Sequence, residues 1–379
     1  MVEKVKIPFC KIAEACEYAG ADMHALERKI PAIGRQKGKA LVELTYRQLG
    51  SVSDFTHYPY YGFFVKERLS QPDMGIADFR TIRGNKPENG YWLRQQVEMC
   101  GDHVEWFHSY AMAEELGKVL LVGSCSLRTD PCIAAHKHSQ KLSVAELRKK
   151  CRQSAEYFKK LREAMEDEGV LTEASGHYFG NTRARYDPAD FRGFAISDDY
   201  APLIFVNRAD SPSAQVFTLM HEFGHLLLGE SAVSNPGIKE DRHKVESWCN
   251  AFAAEILVPL DELVESVSSK EDIVKLAKHY HVSQFVILIR CRDKKLISPD
   301  DFNACWSECE REARNSVKRP GGGNFYATAI DSMSRRFAWA IMNSASTGKT
   351  LVRDAYTLLG LKASTYLEIQ NRILGLRHA

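Results

Sequence analysis

Ser211-Pro-Ser-Ala-Gln-Val-Phe-Thr-Leu-Met-His221-Glu222-Phe-Gly-His225-Leu-Leu-Leu-Gly229 is the stretch on which the reading of this chain turns. Ser211 offers a helix N-cap, Pro212 suits the first helical position and Gly229 supplies a stop, so a helix of about 17 residues is predicted between them. At 100° per residue, His221 and His225 lie about 40° apart and one turn removed, so both imidazoles can reach one metal ion from the same face. Neutral imidazole suits zinc, and a helix fixes two ligands without ordering a loop. Glu222 falls beside them, close enough to an open coordination position to take a proton from water, the general-base role of a His-Glu-x-x-His helix. The apolar neighbours Phe217, Leu219, Met220 and Leu226 to Leu228 are more than a solvated helix would carry.

A catalytic zinc usually has three protein ligands, so one must come from elsewhere. A histidine six residues after the second is excluded, because Ser231 stands there and Leu228 occupies the position of the intervening glycine. The other arrangement takes a glutamate from the next helix. Glu246 opens the run Glu246-Ser-Trp-Cys-Asn250-Ala-Phe-Ala-Ala-Glu255-Ile-Leu-Val-Pro259, in which Ala251, Ala253 and Ala254 would permit a close helix approach. Asn250, one turn on, is placed to orient a ligand. Glu255, Asp241 and His243 compete for the third position, although Glu255 cannot share a face with Glu246.

Working outward, Phe191-Arg-Gly-Phe-Ala-Ile196 and Leu203-Ile-Phe-Val-Asn207 read as two strands joined by the turn Ser197-Asp-Asp-Tyr-Ala-Pro202. Tyr200 in that turn is a candidate oxyanion donor. From Pro8 to about Val65, apolar Ile12, Cys16, Leu26 and Ile30 recur at helical steps, and a compact helical bundle is predicted. The segment from Leu69 to Gly90, rich in glycine, proline and asparagine, marks a boundary. Helices are expected from Tyr91 to about Leu121 and from Ser143 to about Glu168, with Ser143 and Glu146 spaced as a capping box. Further helices are predicted from about Arg242 to Leu257, Phe325 to Gly348, Leu351 to Gly360 and Ser364 to Leu374, with Arg319-Pro-Gly-Gly-Gly as a breaker; periodicity leaves Val282 to Ile289 open between helix and strand. The fold class is therefore α+β and mostly helical: a helical domain over 1–75, a linker and helical region over 76–170, a metallopeptidase core over 171–300 and a C-terminal helical module over 320–379.

Charge and composition narrow the function. Lysine plus arginine number 51 against 49 aspartate plus glutamate, so no global field points to nucleic acid or an anionic membrane. No run reaches the roughly 18 apolar residues of a membrane span, and the first residues lack the apolar core of an export signal. A cytoplasmic protein is expected. The ten cysteines are scattered, which favours reduced thiols, and Cys305 with Cys309 has no second pair to complete a metal site.

At His221-Glu222-Phe-Gly-His225 followed by Glu246, Asn250 and Phe252-Ala-Ala-Glu-Ile-Leu-Val-Pro259, the chain closely resembles the ImmA/IrrE family of metallo-endopeptidases. That resemblance implies a zincin-like peptidase core, Zn2+ held by His221, His225 and Glu246, catalysis by Glu222, and a transcriptional repressor as protein substrate. Relatives often carry an Xre-type helix-turn-helix domain in front. Leu44-Thr-Tyr-Arg-Gln-Leu49, Tyr58-Pro-Tyr-Tyr-Gly-Phe-Phe-Val65 and Asp78-Phe-Arg-Thr81 look like a worn copy, while Gly322-Gly-Asn-Phe-Tyr326, Arg335-Arg-Phe337 and Arg353-Asp-Ala-Tyr356 resemble the family's tail. Where such domains usually have a Trp-Glu pair, this chain has Gly34-Arg-Gln-Lys-Gly-Lys39, so residues 1–75 are expected to bind either DNA or a partner such as the repressor or a second copy. The alternative to an enzyme is a DNA- or partner-binding regulator, antitoxin-like, that keeps a metal site but little proteolysis.

Overall fold

A computed structural model of the protein describes residues 3–19, 22–56, 58–69, 90–178, 185–230, 239–263, 267, 269–315 and 325–375. The breaker segments expected at 70–89 and 319–323, the Asp78–Thr81 junction and Gly322–Asn324 lie outside the described residues. The N-terminal part runs β1 (Lys4–Pro8), α1 (Phe9–Ala19), α2 (Met23–Lys29), α3 (Pro31–Gly34), β2 (Leu41–Thr45) and α4 (Tyr46–Thr56). β1 and β2 pair antiparallel from Lys4 opposite Thr45 to Pro8 opposite Leu41, which corrects the all-helical reading of this region. The cause is a period of two that the helical rhythm of the neighbours masks: Leu41 and Glu43 are exposed, Val42 and Leu44 buried. Gln36 closes the free edge of β2, its side-chain amide donating to the Glu43 carbonyl at 3.0 Å and accepting from the Glu43 N–H at 2.9 Å. Ile7, Ile12, Leu26, Ile33, Leu49 and Phe63 form this region's own core.

Beyond it follow α5 (Gly90–Ala113), α6 (Pro131–Lys141), α7 (Val144–Lys150), α8 (Ser154–Asp167), β3 (Leu171–Ser175), β4 (Gly193–Ile196), β5 (Leu203–Asn207), α9 (Pro212–Leu228) and α10 (Lys239–Leu257). α11 (Lys270–Tyr280), α12 (Gln284–Asp293), α13 (Pro299–Asn315), α14 (Phe325–Ser332), α15 (Arg335–Ser346), α16 (Val352–Leu358) and α17 (Ala363–Gly375) complete the order. Among the described residues, none of these helices is long and apolar enough to cross a membrane.

β5 is the middle strand of a three-stranded sheet, antiparallel to β4 and parallel to β3. Its text shows no alternation because both faces are covered: Ile204 and Val206 point into the core formed with α8, α9 and α10, and Leu203 and Phe205 into the one formed with α5 and α15. His103 of α5 ties the second face together, its Nδ1 2.8 Å from Glu173 of β3 and its Nε2 donating to the Leu358 carbonyl at 2.7 Å. Burial opposes the imidazolium, yet Glu173 and that carbonyl raise the His103 pKa.

Several expected helices have other bounds. α6, β3, α11 and α13 are not predicted by the sequence reading. The helix begun near Tyr91 stops at Ala113. Ser143 sits in the left-handed region at φ 51° and makes no side-chain cap, because α6 turns directly into α7 there, so the capping box does not form. Cys151, Arg152 and Gln153 separate α7 from α8, and Ser334, whose side chain accepts from the Phe337 N–H, starts α15 afresh after α14. The open text near Val282 is helical: α12 begins at the Ser283 N-cap, three residues after α11 ends, giving a helix–turn–helix pair with His281 left-handed at φ 57°.

Candidate metal centre and adjoining cleft

α9 has the predicted bounds and caps. The Ser211 hydroxyl accepts from the Ala214 N–H at 3.3 Å, and Gly229 ends the helix at φ 71°. Its last carbonyls are also used, since the N–H groups of Gly123 and Cys125 donate to Leu226 and Leu227 at 3.0 and 2.8 Å. Val216, Leu219, Met220, Phe223, Leu226 and Leu227 lie in the core, which leaves His221 and His225 half-buried on the remaining face.

α10 crosses close to α9 at one point. A Cβ on Gly224 would stand 3.2 Å from Cys249 Sγ and 3.3 Å from Cys249 Cα and Cβ. Glycine here admits the neighbouring helix; of the three alanines expected to do so, Ala253 is buried, Ala254 half-buried and Ala251 exposed. Trp248, which donates to the Thr129 carbonyl at 2.7 Å and stacks on Phe252, holds α10 in place. On β4, Gly193 performs a related service: a Cβ would meet Phe205 O at 2.8 Å and Glu222 Cγ at 3.3 Å, so the strand packs directly over Glu222.

The consequence is a tight triangle of donor atoms. His221 Nε2 lies 3.2 Å from Glu246 Oε2, His225 Nε2 3.3 Å from Glu246 Oε1, and the two Nε2 atoms 3.2 Å apart. Among the described residues this is the one group of three or more histidine, cysteine or acidic side chains arranged to hold a metal ion. Four-coordinate zinc with bonds of about 2.0–2.1 Å sets its ligand atoms about 3.3–3.4 Å apart, close to the spacing of the two imidazoles and of each imidazole from its nearer Glu246 oxygen. Three lone-pair-bearing atoms converge there, which is costly unless a cation or a proton is shared between them.

Electrostatics follow the same geometry. Burial disfavours the charge on Glu246, but hydrogen bonds and charge from His221 and His225 hold its carboxyl well below the usual range. Burial likewise disfavours the His225 imidazolium, while hydrogen bonds with Cys249 and Glu246 push its pKa well above normal. Glu222 is buried, which raises its pKa against the lowering influence of His225 and His221. Cys249 was not singled out from the sequence, yet it bonds to the second histidine. His221 Nδ1 finds no hydrogen-bond partner among the described residues.

The other candidates fall elsewhere. Glu255 is buried and ion-paired with Arg290, with His136 Nε2 3.7 Å away. His243 is exposed, and the Asp241 side chain lies outside the described residues. Asn250 is exposed and lines a cleft rather than bonding to a ligand. Tyr200 packs edge-on against His108, with Lys118 over its ring. The cleft, of about 1920 Å³, begins one turn from the donor triangle on each helix, at Phe217 of α9 and Asn250 of α10, and includes residues of α12 and α13. Phe217 lies over the His221 ring with centroids 6.4 Å apart.

Residues 171–292 match the model of the IrrE N-terminal-like domain of the M78 peptidases, and residues 333–372 match a domain of unknown function, DUF8813. No curated protein and no solved structure matches the chain. The stretch that builds the sheet, the donor triangle and the helix–turn–helix pair is thus similar to a peptidase domain of the ImmA/IrrE type.

Proposed function

We propose that the chain is a zinc-dependent metallo-endopeptidase with a zincin-like core, acting in gene regulation inside the cell on a transcriptional repressor or similar regulatory protein. The observation that carries this reading is the convergence of His221 Nε2 and His225 Nε2, 3.2 Å apart, on the Glu246 carboxylate, each 3.2–3.3 Å from its nearer oxygen, beside a buried Glu222. Two imidazoles and one carboxylate in that geometry suit zinc above the harder ions, which prefer all-oxygen sites. Bound there, zinc supplies a Lewis acid for the peptide carbonyl and a lowered pKa for water. Glu222, desolvated under β4, takes the proton from the attacking water and later delivers it to the leaving nitrogen; its burial raises its pKa, which strengthens it as a base. The edge of β4 next to Glu222 is suited to receive a substrate segment as an added strand.

For residues 1–75 the surface favours a protein partner over DNA. Tyr46, Tyr60, Tyr61 and Phe64 are exposed there, a pattern of apolar contact rather than of phosphate binding. The test is direct: the zinc-loaded chain, incubated with a candidate transcriptional repressor, should yield two defined fragments, and Glu222→Gln should abolish them while retaining zinc. Cleavage at full rate by Glu222→Gln would remove Glu222 from the chemistry.

A further inference from the structure

The exposed face of α12 is of the wrong kind for a nucleic-acid reader. In a helix–turn–helix pair that binds DNA, the second helix carries polar and cationic side chains toward the grooves. Here Arg290 is buried against Glu255 and the Val258 carbonyl, and Arg292 pairs with Asp293. What α12 leaves half-buried is Phe285, Val286 and Ile289. Ile287, Leu288 and Cys291 on the other side are fully buried, whereas Phe285 and Val286 pack against the core while keeping part of their surface open.

Phe285, Val286 and Ile289 line the same cleft as Phe217 and Ala254, joined by Trp306 of α13, whose ring meets Phe285 edge-on at 4.9 Å. This apolar strip ends next to the donor atoms, since Phe217 lies over His221 and Asn250 follows Glu246 by one turn. Glu310, which accepts from the Trp306 indole at 3.2 Å, also lines the cleft and adds negative charge unsuited to phosphate. We propose that the strip is the specificity groove of the peptidase: it holds an extended segment of the protein substrate and selects a bulky apolar side chain, of the leucine, isoleucine, methionine or phenylalanine class, close to the bond cleaved. The proposal rests on the peptidase reading. Burying one such side chain is worth roughly ten- to a hundred-fold in kcat/KM.

The test uses the zinc-loaded full chain and a mixture of internally quenched peptides randomised at each position. The cleaved peptides should share a bulky apolar residue at one position near the cut. Ile289→Trp, which fills the groove, should lower kcat/KM for those peptides about tenfold or more while sparing peptides with alanine there, and Phe285→Ala should flatten the preference. A second readout is binding alone: a labelled leucine-containing peptide should bind Glu222→Gln protein, measured by anisotropy, and weaken about tenfold when Ile289→Trp is added. Unchanged preference in both groove variants, or a preference for charged or small residues, overturns the groove. A zinc-loaded wild-type chain that cleaves nothing in the mixture overturns the peptidase reading itself, and the groove with it.

Discussion

Gly224→Ala should separate the packing of α9 on α10 from the chemistry that the packing serves. The added Cβ would lie 3.2–3.3 Å from three atoms of Cys249, whereas carbon contacts are comfortable at about 3.5–4.0 Å. α10 must therefore retreat by a few tenths of an ångström at Cys249, three residues from Glu246. Overpacking of this kind costs about 1–3 kcal/mol, and replacing a mid-helix glycine by alanine returns about 1 kcal/mol. The metal-free protein should lose no more than about 2 kcal/mol in urea unfolding. Zinc binding should suffer more, because the shift opens the Glu246 edges of a triangle now at 3.2–3.3 Å; a loss of about ten- to a hundred-fold in affinity, read by chelator competition, is expected. Cys249→Ala in the same background removes the sulfur contact but not the Cα and Cβ contacts, so affinity should recover only in part. A Gly224→Ala protein that binds zinc within twofold of wild type would refute the idea that this approach sets the ligand geometry.

Three further outcomes are expected. His138 is buried between Phe223 and Phe252 with neither ring nitrogen bonded among the described residues, and burial lowers its pKa from 6.5 to about 4. The unfolded chain thus binds a proton that the folded chain refuses between those values. Stability should fall as pH drops from 6.5 toward 4, by about 3 kcal/mol from this group, and His138→Leu should reduce that acid loss in urea titrations; an identical pH profile would contradict it. Glu255→Ala leaves Arg290 buried without its carboxylate and should cost about 3–5 kcal/mol while leaving zinc content per folded chain unchanged; a stable variant that lost zinc would make Glu255 a ligand. Ser211→Ala removes the α9 N-cap and should cost about 1 kcal/mol in thermal or urea unfolding, with no change implying that the cap bond contributes nothing.

Much of the region around α9 could be read from the sequence because its signals are local. Ser211, Pro212 and Gly229 bound a helix by backbone requirements that neighbours do not override, and His221 with His225 share a face by helical geometry alone. β4 and β5 were legible from their turn and their β-branched text. β3 was not, since Leu171-Thr-Glu-Ala-Ser175 is strand only because β5 lies beside it and its buried Glu173 meets His103 from α5. The ribbon of β1 and β2 was hidden by flanking helical periodicity, and its pairing spans more than thirty residues of chain. Within the site, the adjacency of Cys249 to His225 and the need for glycine at 224 depend on how two helices cross, which spacing along one helix does not reveal. Asn250 and Tyr200 failed for the converse reason: each is near the motif in sequence but turned toward the cleft or toward His108.

The most direct measurement is the zinc content of the purified full chain by elemental analysis, compared among wild type, Glu246→Ala and Glu255→Ala. One zinc per wild-type chain, retained by folded Glu255→Ala and lost from Glu246→Ala, is the predicted result. Wild-type protein that takes up no zinc, or a zinc content indifferent to Glu246, would contradict a metal centre built from His221, His225 and Glu246.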